Sequence, residues 1–151
     1  MRERCFCTVY DAVKAMLPAG LYFSLRDCCC LRPGLDREGA YAAAGQSVGA
    51  KKLLDLLIIA PCTGNTLAKL AHGIADTPVT MAAKSQLRNG RPVLLAVSTN
   101  DALAGAAENI GRLLVRKNYY FVPFGQDDPL GKPTSMVAHF DKIPEALKLA
   151  L

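Results

Sequence analysis

The stretch Leu53-Leu54-Asp55-Leu56-Leu57-Ile58-Ile59-Ala60-Pro61-Cys62-Thr63-Gly64-Asn65-Thr66 decides how this chain is read. From Leu53 to Ala60 it is apolar apart from Asp55 and does not alternate, the pattern of a strand covered on both faces. Beyond the polar residues Thr63 to Thr66, Leu67, Leu70, Ala71 and Ile74 recur at helical spacing, with Lys69 and His72 projecting elsewhere. A buried strand that turns through polar residues into an amphipathic helix is where α/β proteins hold ligands, outside the strand carboxyl ends. At such a helix start the backbone N–H groups lack intrahelical partners and the dipole is positive. Thr63, Gly64, Asn65 and Thr66 are therefore candidate binding residues, with an anion favoured. The simpler alternative is that Thr63 or Asn65 caps the helix and binds nothing else. The segment lacks the glycine spacing and the glycine-lysine-serine/threonine ending of a phosphate-binding P-loop, and it is not a dinucleotide fingerprint.

Downstream the same grammar repeats. The chain turns through Asp76-Thr77-Pro78, and Val79 to Leu87 reads as a short helix stopped near Asn89-Gly90. Pro92 to Ser98 reads as a second buried strand that ends in the polar run Ser98-Thr99-Asn100-Asp101. A helix is expected from Ala102 to Lys117, capped by Asn100 or Asp101, with Leu103, Ala106, Ala107, Ile110, Leu113 and Leu114 on its inner face. Glu108 and Arg112 on it suit a surface pair. Tyr119 to Val122 reads as a third strand, followed by a loop from Pro123 to Pro129. Strands and helices in alternation predict an α/β fold, a doubly wound parallel-sheet sandwich with right-handed crossovers. Upstream, Cys7 to Leu17 reads as a helix with Val9, Ala12, Val13 and Met16 on one face, and Leu21 to Leu25 as a short strand.

A chain of 151 residues with 51% hydrophobic residues suits one globular domain with a sizeable core. No apolar run approaches the roughly twenty residues that span a bilayer, and the first residues lack the apolar core of a secretion signal, so a cytoplasmic location is expected. The net charge of +5 is scattered along the chain without aromatic interleaving, which gives no support for nucleic-acid binding. Six cysteines include Cys5, Cys7 and the triplet Cys28-Cys29-Cys30, whose spacing does not suit a zinc knuckle; no metal is expected. Cys62 reads as a small buried residue rather than a nucleophile.

Taken together, Asp55 to Ala71, Met81-Ala82-Ala83-Lys84, Leu87-Arg88-Asn89, Ser98-Thr99-Asn100-Asp101 and Val122 to Asp128 resemble the family of dipicolinate synthase B subunits. Pro61 to Lys69 also resembles the wider flavoprotein group of flavin-containing cysteine decarboxylases, with Asn65 and Thr66 as the shared residues. The resemblance covers residues 48–140 and implies one flavoprotein-like (Rossmann-like) domain over residues 1–151, divergent or truncated over residues 1–47. It implies one component of a two-part oxidoreductase that makes dipicolinic acid during bacterial sporulation. The implied partner is the dehydrogenase-like A subunit of dipicolinate synthase. FMN would be the cofactor here and NAD(P) that of the partner; a homo-oligomer and a small dicarboxylate substrate are also implied. The residues implied for the cofactor are Thr63, Gly64, Asn65, Thr66, Met81, Ser98, Thr99 and Asn100. Lys84, Arg88 or Lys132 would pair with substrate carboxylates. No side chain is an obvious general base.

One departure matters. Phe6-Cys7-Thr8 keeps part of the family's opening, but Arg4-Cys5 stands where a phosphate-holding threonine-glycine-serine turn is expected. Two other readings therefore stand beside the first: a non-catalytic structural or regulatory subunit, and a free-standing flavin-dependent decarboxylase.

Overall fold

The computed structural model describes the backbone of Tyr22–Ser24 and residues 55–151. In chain order the elements are β1 (Tyr22–Ser24), β2 (Leu57–Cys62), α1 (Gly64–His72), α2 (Pro78–Arg88) and β3 (Val93–Thr99). There follow α3 (Ala107–Leu114), β4 (Tyr119–Phe121), β5 (Phe124–Gly125), β6 (Met136–Ala138), a 3-10 turn (Phe140–Lys142) and α4 (Ile143–Ala150). The helix expected at Cys7 to Leu17 lies outside the described residues.

β1, β2, β3 and β4 are parallel neighbours in that order. The sheet is nevertheless mixed. Beyond β4, the carboxyl end of β3 pairs antiparallel with β6, Ser98 opposite Val137 and Thr99 opposite Met136, and β6 pairs antiparallel with β5. The loop expected from Pro123 to Pro129 therefore contains a strand, β5, and β6 follows beyond it. β5 and β6 are only two and three residues long and are held by partners distant in sequence, which periodicity cannot register.

The central strands lack alternation because each face of the sheet carries its own core. On one face Leu57, Ile59, Val93, Leu95 and Val97 pack with Leu67, Leu70 and Ala71 of α1, Ala82 and Ala83 of α2, and Ile110 and Leu113 of α3. On the other, Leu56, Ile58, Ala60, Leu94 and Ala96 pack with Ile143, Ala146 and Leu147 of α4. Parity along β2 predicts that Cys62 joins Ile58 and Ala60, yet it packs on the opposite face. The register explains this. Ile59 pairs with Leu95 and Cys62 with Val97, so β2 spends three residues where β3 spends two, and this bulge turns the chain over before it leaves the sheet.

Helix ends follow local chemistry. Thr77 and Thr80 form a reciprocal capping box at the start of α2, with Pro78 in the first turn. α1 ends on Gly73 at φ 72, a left-handed conformation that favours glycine. Two expectations are corrected. Ile74 falls just past that end and is exposed. α3 starts at Ala107, not Ala102, because residues 101–106 form a turn in which the amides of Ala104 and Ala106 both donate to the Asp101 carbonyl. Ala106 occupies the capping position, so neither Asn100 nor Asp101 caps α3, and Leu103, Ala107 and Leu114 are exposed.

Candidate functional site

β2 delivers the chain to Thr63 in an extended conformation, and α1 begins at Gly64. Thr63 stands at the capping position, but its side chain makes no capping hydrogen bond; its Oγ1 lies 3.5 Å from Thr66 Oγ1. Asn65, already inside the first turn, is exposed. The simple capping alternative is therefore not what the structure adopts: the Thr63 side chain makes no capping bond to the first-turn amides.

The second wall of the site is the end of β3. Ser98 Oγ is buried and has no hydrogen-bond partner among the described residues. An orphaned buried hydroxyl carries a desolvation penalty that a ligand acceptor or donor relieves. Thr99 Oγ1 donates to Asp101 Oδ1. The two walls touch at Gly64, where a Cβ would stand 2.7 Å from Thr99 Oγ1 and 3.1 Å from Asp101 Oδ1. Asn100 is exposed next to this contact.

Thr63, Gly64, Thr66, Ser98 and Thr99 are thus gathered at the carboxyl ends of β2 and β3, with the exposed Asn65 and Asn100 beside them. The other candidates sit on α2. Met81, Lys84 and Arg88 are all exposed along one helical stripe. Arg88 ends α2, and a tight turn, with the Arg91 amide donating to the Gln86 carbonyl, leads from it into the amino end of β3. That is the end of the sheet remote from Thr63 to Thr66. Lys132 lies 3.8 Å from Asp127 in an ion pair.

Three residues of the site escape sequence reasoning. Asp101 brings a carboxylate to the amino end of α1. Thr134 Oγ1 donates to the Asn100 carbonyl at 2.7 Å. Ser135 is buried and hydrogen-bonded to Asp127, which holds that carboxyl below its usual range. Thr134 and Ser135 lie some thirty-five residues beyond Asn100, and only the unforeseen β3–β6 pairing brings them close. Cys62 faces the core under α1, α2 and α3, and burial pushes its thiol up to about 12, so it is not a thiolate nucleophile at neutral pH. Among the described residues, no group of three His, Cys, Asp or Glu side chains is placed to hold a metal.

Residues 40–130 match the Flavoprotein family model, and the chain belongs to this family. It is 52% identical over 106 residues to the dipicolinate synthase B subunit of Bacillus subtilis, covering 70% of this chain and 53% of that protein. The chain thus spans about half the length of that curated relative. The crystal structure of the dipicolinate synthase B subunit from Bacillus halodurans is similar at a TM-score of 0.75 with 36% identity, covering 95% of this chain and 85% of that one. An FMN-dependent cysteine decarboxylase from thioviridamide biosynthesis is similar at a TM-score of 0.53 with 25% identity, covering 72% of this chain and 76% of that one.

The donor set fits part of a flavin. Hydroxyls, two side-chain amides and first-turn N–H groups match the carbonyl and N–H edge of the ring system and the hydroxyls of the ribityl chain. The same set does not suit the phosphate. Asp101 places a carboxylate within the reach of the α1 amino end, and it forms no salt bridge among the described residues. A neutral hydrogen-bonding edge is accommodated there at lower electrostatic cost than a dianion.

Proposed function

We propose that this chain is the B subunit of a dipicolinate synthase, holding FMN at the carboxyl ends of β2 and β3. With a dehydrogenase-like A subunit that carries NAD(P), it would aromatise a small cyclic dicarboxylate to dipicolinic acid in the cytoplasm of a sporulating bacterium. The observation that carries this reading is the likeness to the Bacillus halodurans protein, which extends over 95% of the chain. Bound FMN supplies a two-electron acceptor for oxidation of the ring. The protein's own part is placement. The Asn65 side-chain amide, the first-turn N–H of Thr66, the Ser98 hydroxyl and the Asn100 amide orient the polar edge, while Met81 offers an apolar surface. Thr63, Gly64 and Thr99 shape the contact between the two walls. Lys84 is proposed to face a substrate carboxylate. Arg88, remote from its own crevice, would do so only in a homo-oligomer.

The test is to purify the protein, record its visible spectrum, denature it and assay the supernatant for FMN, then combine it with its A-type partner and quantify dipicolinic acid. Released FMN and synthesis that requires both proteins are expected. Asn65→Ala should weaken FMN retention about five- to tenfold, the value of one lost hydrogen bond, with little change in stability. Unchanged retention and paired activity would remove Asn65 from the site. The second reading, a non-catalytic supporting subunit, rests on Arg4-Cys5 standing in place of the phosphate turn. Its signature is synthesis that depends on a colourless protein.

A further inference from the structure

Asn100 combines a fixed backbone with a side chain that has no hydrogen-bond partner among the described residues. Its carbonyl accepts from Thr134 Oγ1 at 2.7 Å, and the Leu103 amide in the same turn donates back to the Thr134 carbonyl at 3.0 Å. On one side of it Thr99 is paired in register with Met136; on the other Asp101 accepts from the Thr99 hydroxyl. Thr134 itself ends an internally braced loop. Gln126 Nε2 donates to the Pro133 carbonyl, the Lys132 amide to the Asp128 carbonyl, and the Gly131 amide to Asp128 Oδ1. The turn that carries Asn100 is thus tied to a braced loop through one distant residue, Thr134, whose hydroxyl holds the Asn100 carbonyl and whose own carbonyl holds the Leu103 amide.

We propose that Thr134 is a positioning residue that presents the Asn100 amide to the ligand; this rests on the cofactor reading given above. A binding side chain held in place before the ligand arrives loses less conformational freedom on binding, so releasing the tie lowers affinity without removing any group that touches the ligand. Thr134→Val keeps the shape of the side chain and removes only the hydroxyl, whereas Thr134→Ser keeps the hydroxyl.

The experiment is an FMN titration by fluorescence quenching on wild type, Thr134→Val, Thr134→Ser and Asn100→Ala, with hydrogen exchange at the Leu103 amide of the flavin-free proteins. Thr134→Val is expected to weaken FMN binding about fivefold and to speed Leu103 exchange, with Thr134→Ser restoring both. In the double variant Thr134→Val/Asn100→Ala, the Thr134 substitution should have no further effect on affinity. Wild-type affinity in Thr134→Val, equal loss in Thr134→Ser, or unchanged Leu103 exchange overturns the inference while the cofactor reading stands. A wild-type protein that takes up no FMN removes the cofactor reading, and this inference with it.

Discussion

A Cβ on Gly64 would stand 2.7 Å from Thr99 Oγ1, closer than real contacts allow, and the obstacle is a β-branched side chain pinned by its own hydrogen bond to Asp101. Gly64→Ala should therefore cost about 1–3 kcal/mol, the range for overpacking a tight contact. Urea unfolding would measure it, and Thr99→Ala in the same chain should recover most of the loss, an interaction that a double-mutant cycle isolates. Cys62 gives a prediction in pH. Its thiol is raised from an ordinary 9.0 to about 12 by burial, so the folded state holds the proton more tightly than the unfolded state. The associated stability is fully present below pH 9 and is lost as pH rises from there toward 12. Cys62→Ala should flatten that alkaline decline in a pH series of unfolding midpoints; an unchanged decline would assign it to other groups such as Tyr119, whose phenol burial also raises. At this scale the sequence is informative wherever chemistry is local. Thr63 to Thr66 and Ser98 to Asn100 are legible because each polar run follows a buried strand, whereas Thr134 carries no local mark of its role.

Helices α1 and α2 owe their ends to different devices. Thr77→Ala removes half of the capping box of α2 and should cost about 1 kcal/mol in thermal or urea unfolding. The carboxyl end of α1 is closed from outside: Arg116 donates to the Leu70 and Ala71 carbonyls at 3.2 and 2.7 Å. A guanidinium spans two carbonyls with a fixed fork, so Arg116→Lys should recover only part of the stability lost in Arg116→Ala. Equal stability of Arg116→Lys and wild type would show that charge near the helix end suffices. The start of α2 is readable from Asp76-Thr77-Pro78 as a turn. The Arg116 brace is not, since it joins residues 45 and 46 apart. The start of α3 is misread for a related reason: apolar spacing continues through Leu103, but the turn there is held by Thr134, and long-range hydrogen bonds override periodicity.

At the scale of the whole molecule, β2 and β3 run between two cores, one under α1, α2 and α3 and one under α4. Their amides, from Leu57 to Ile59 and Val93 to Val97, should exchange with solvent only through global unfolding, while those of β5 exchange through local opening. Comparable rates in the two groups would contradict a core centred on these strands. The fold class is legible because two uninterrupted apolar runs in alternation with amphipathic helices have few other solutions. The antiparallel extension is not, because its strands are two and three residues long and the pairing that holds them joins segments far apart in sequence. The bulge between Ile59 and Cys62 also limits how this sheet can change in length. Because it reverses which side the chain exits, removing one residue there would carry Thr63 to Thr66 to the face of α4. Single-residue insertions and deletions at that point are therefore closed to drift, and length change is open only in steps of two.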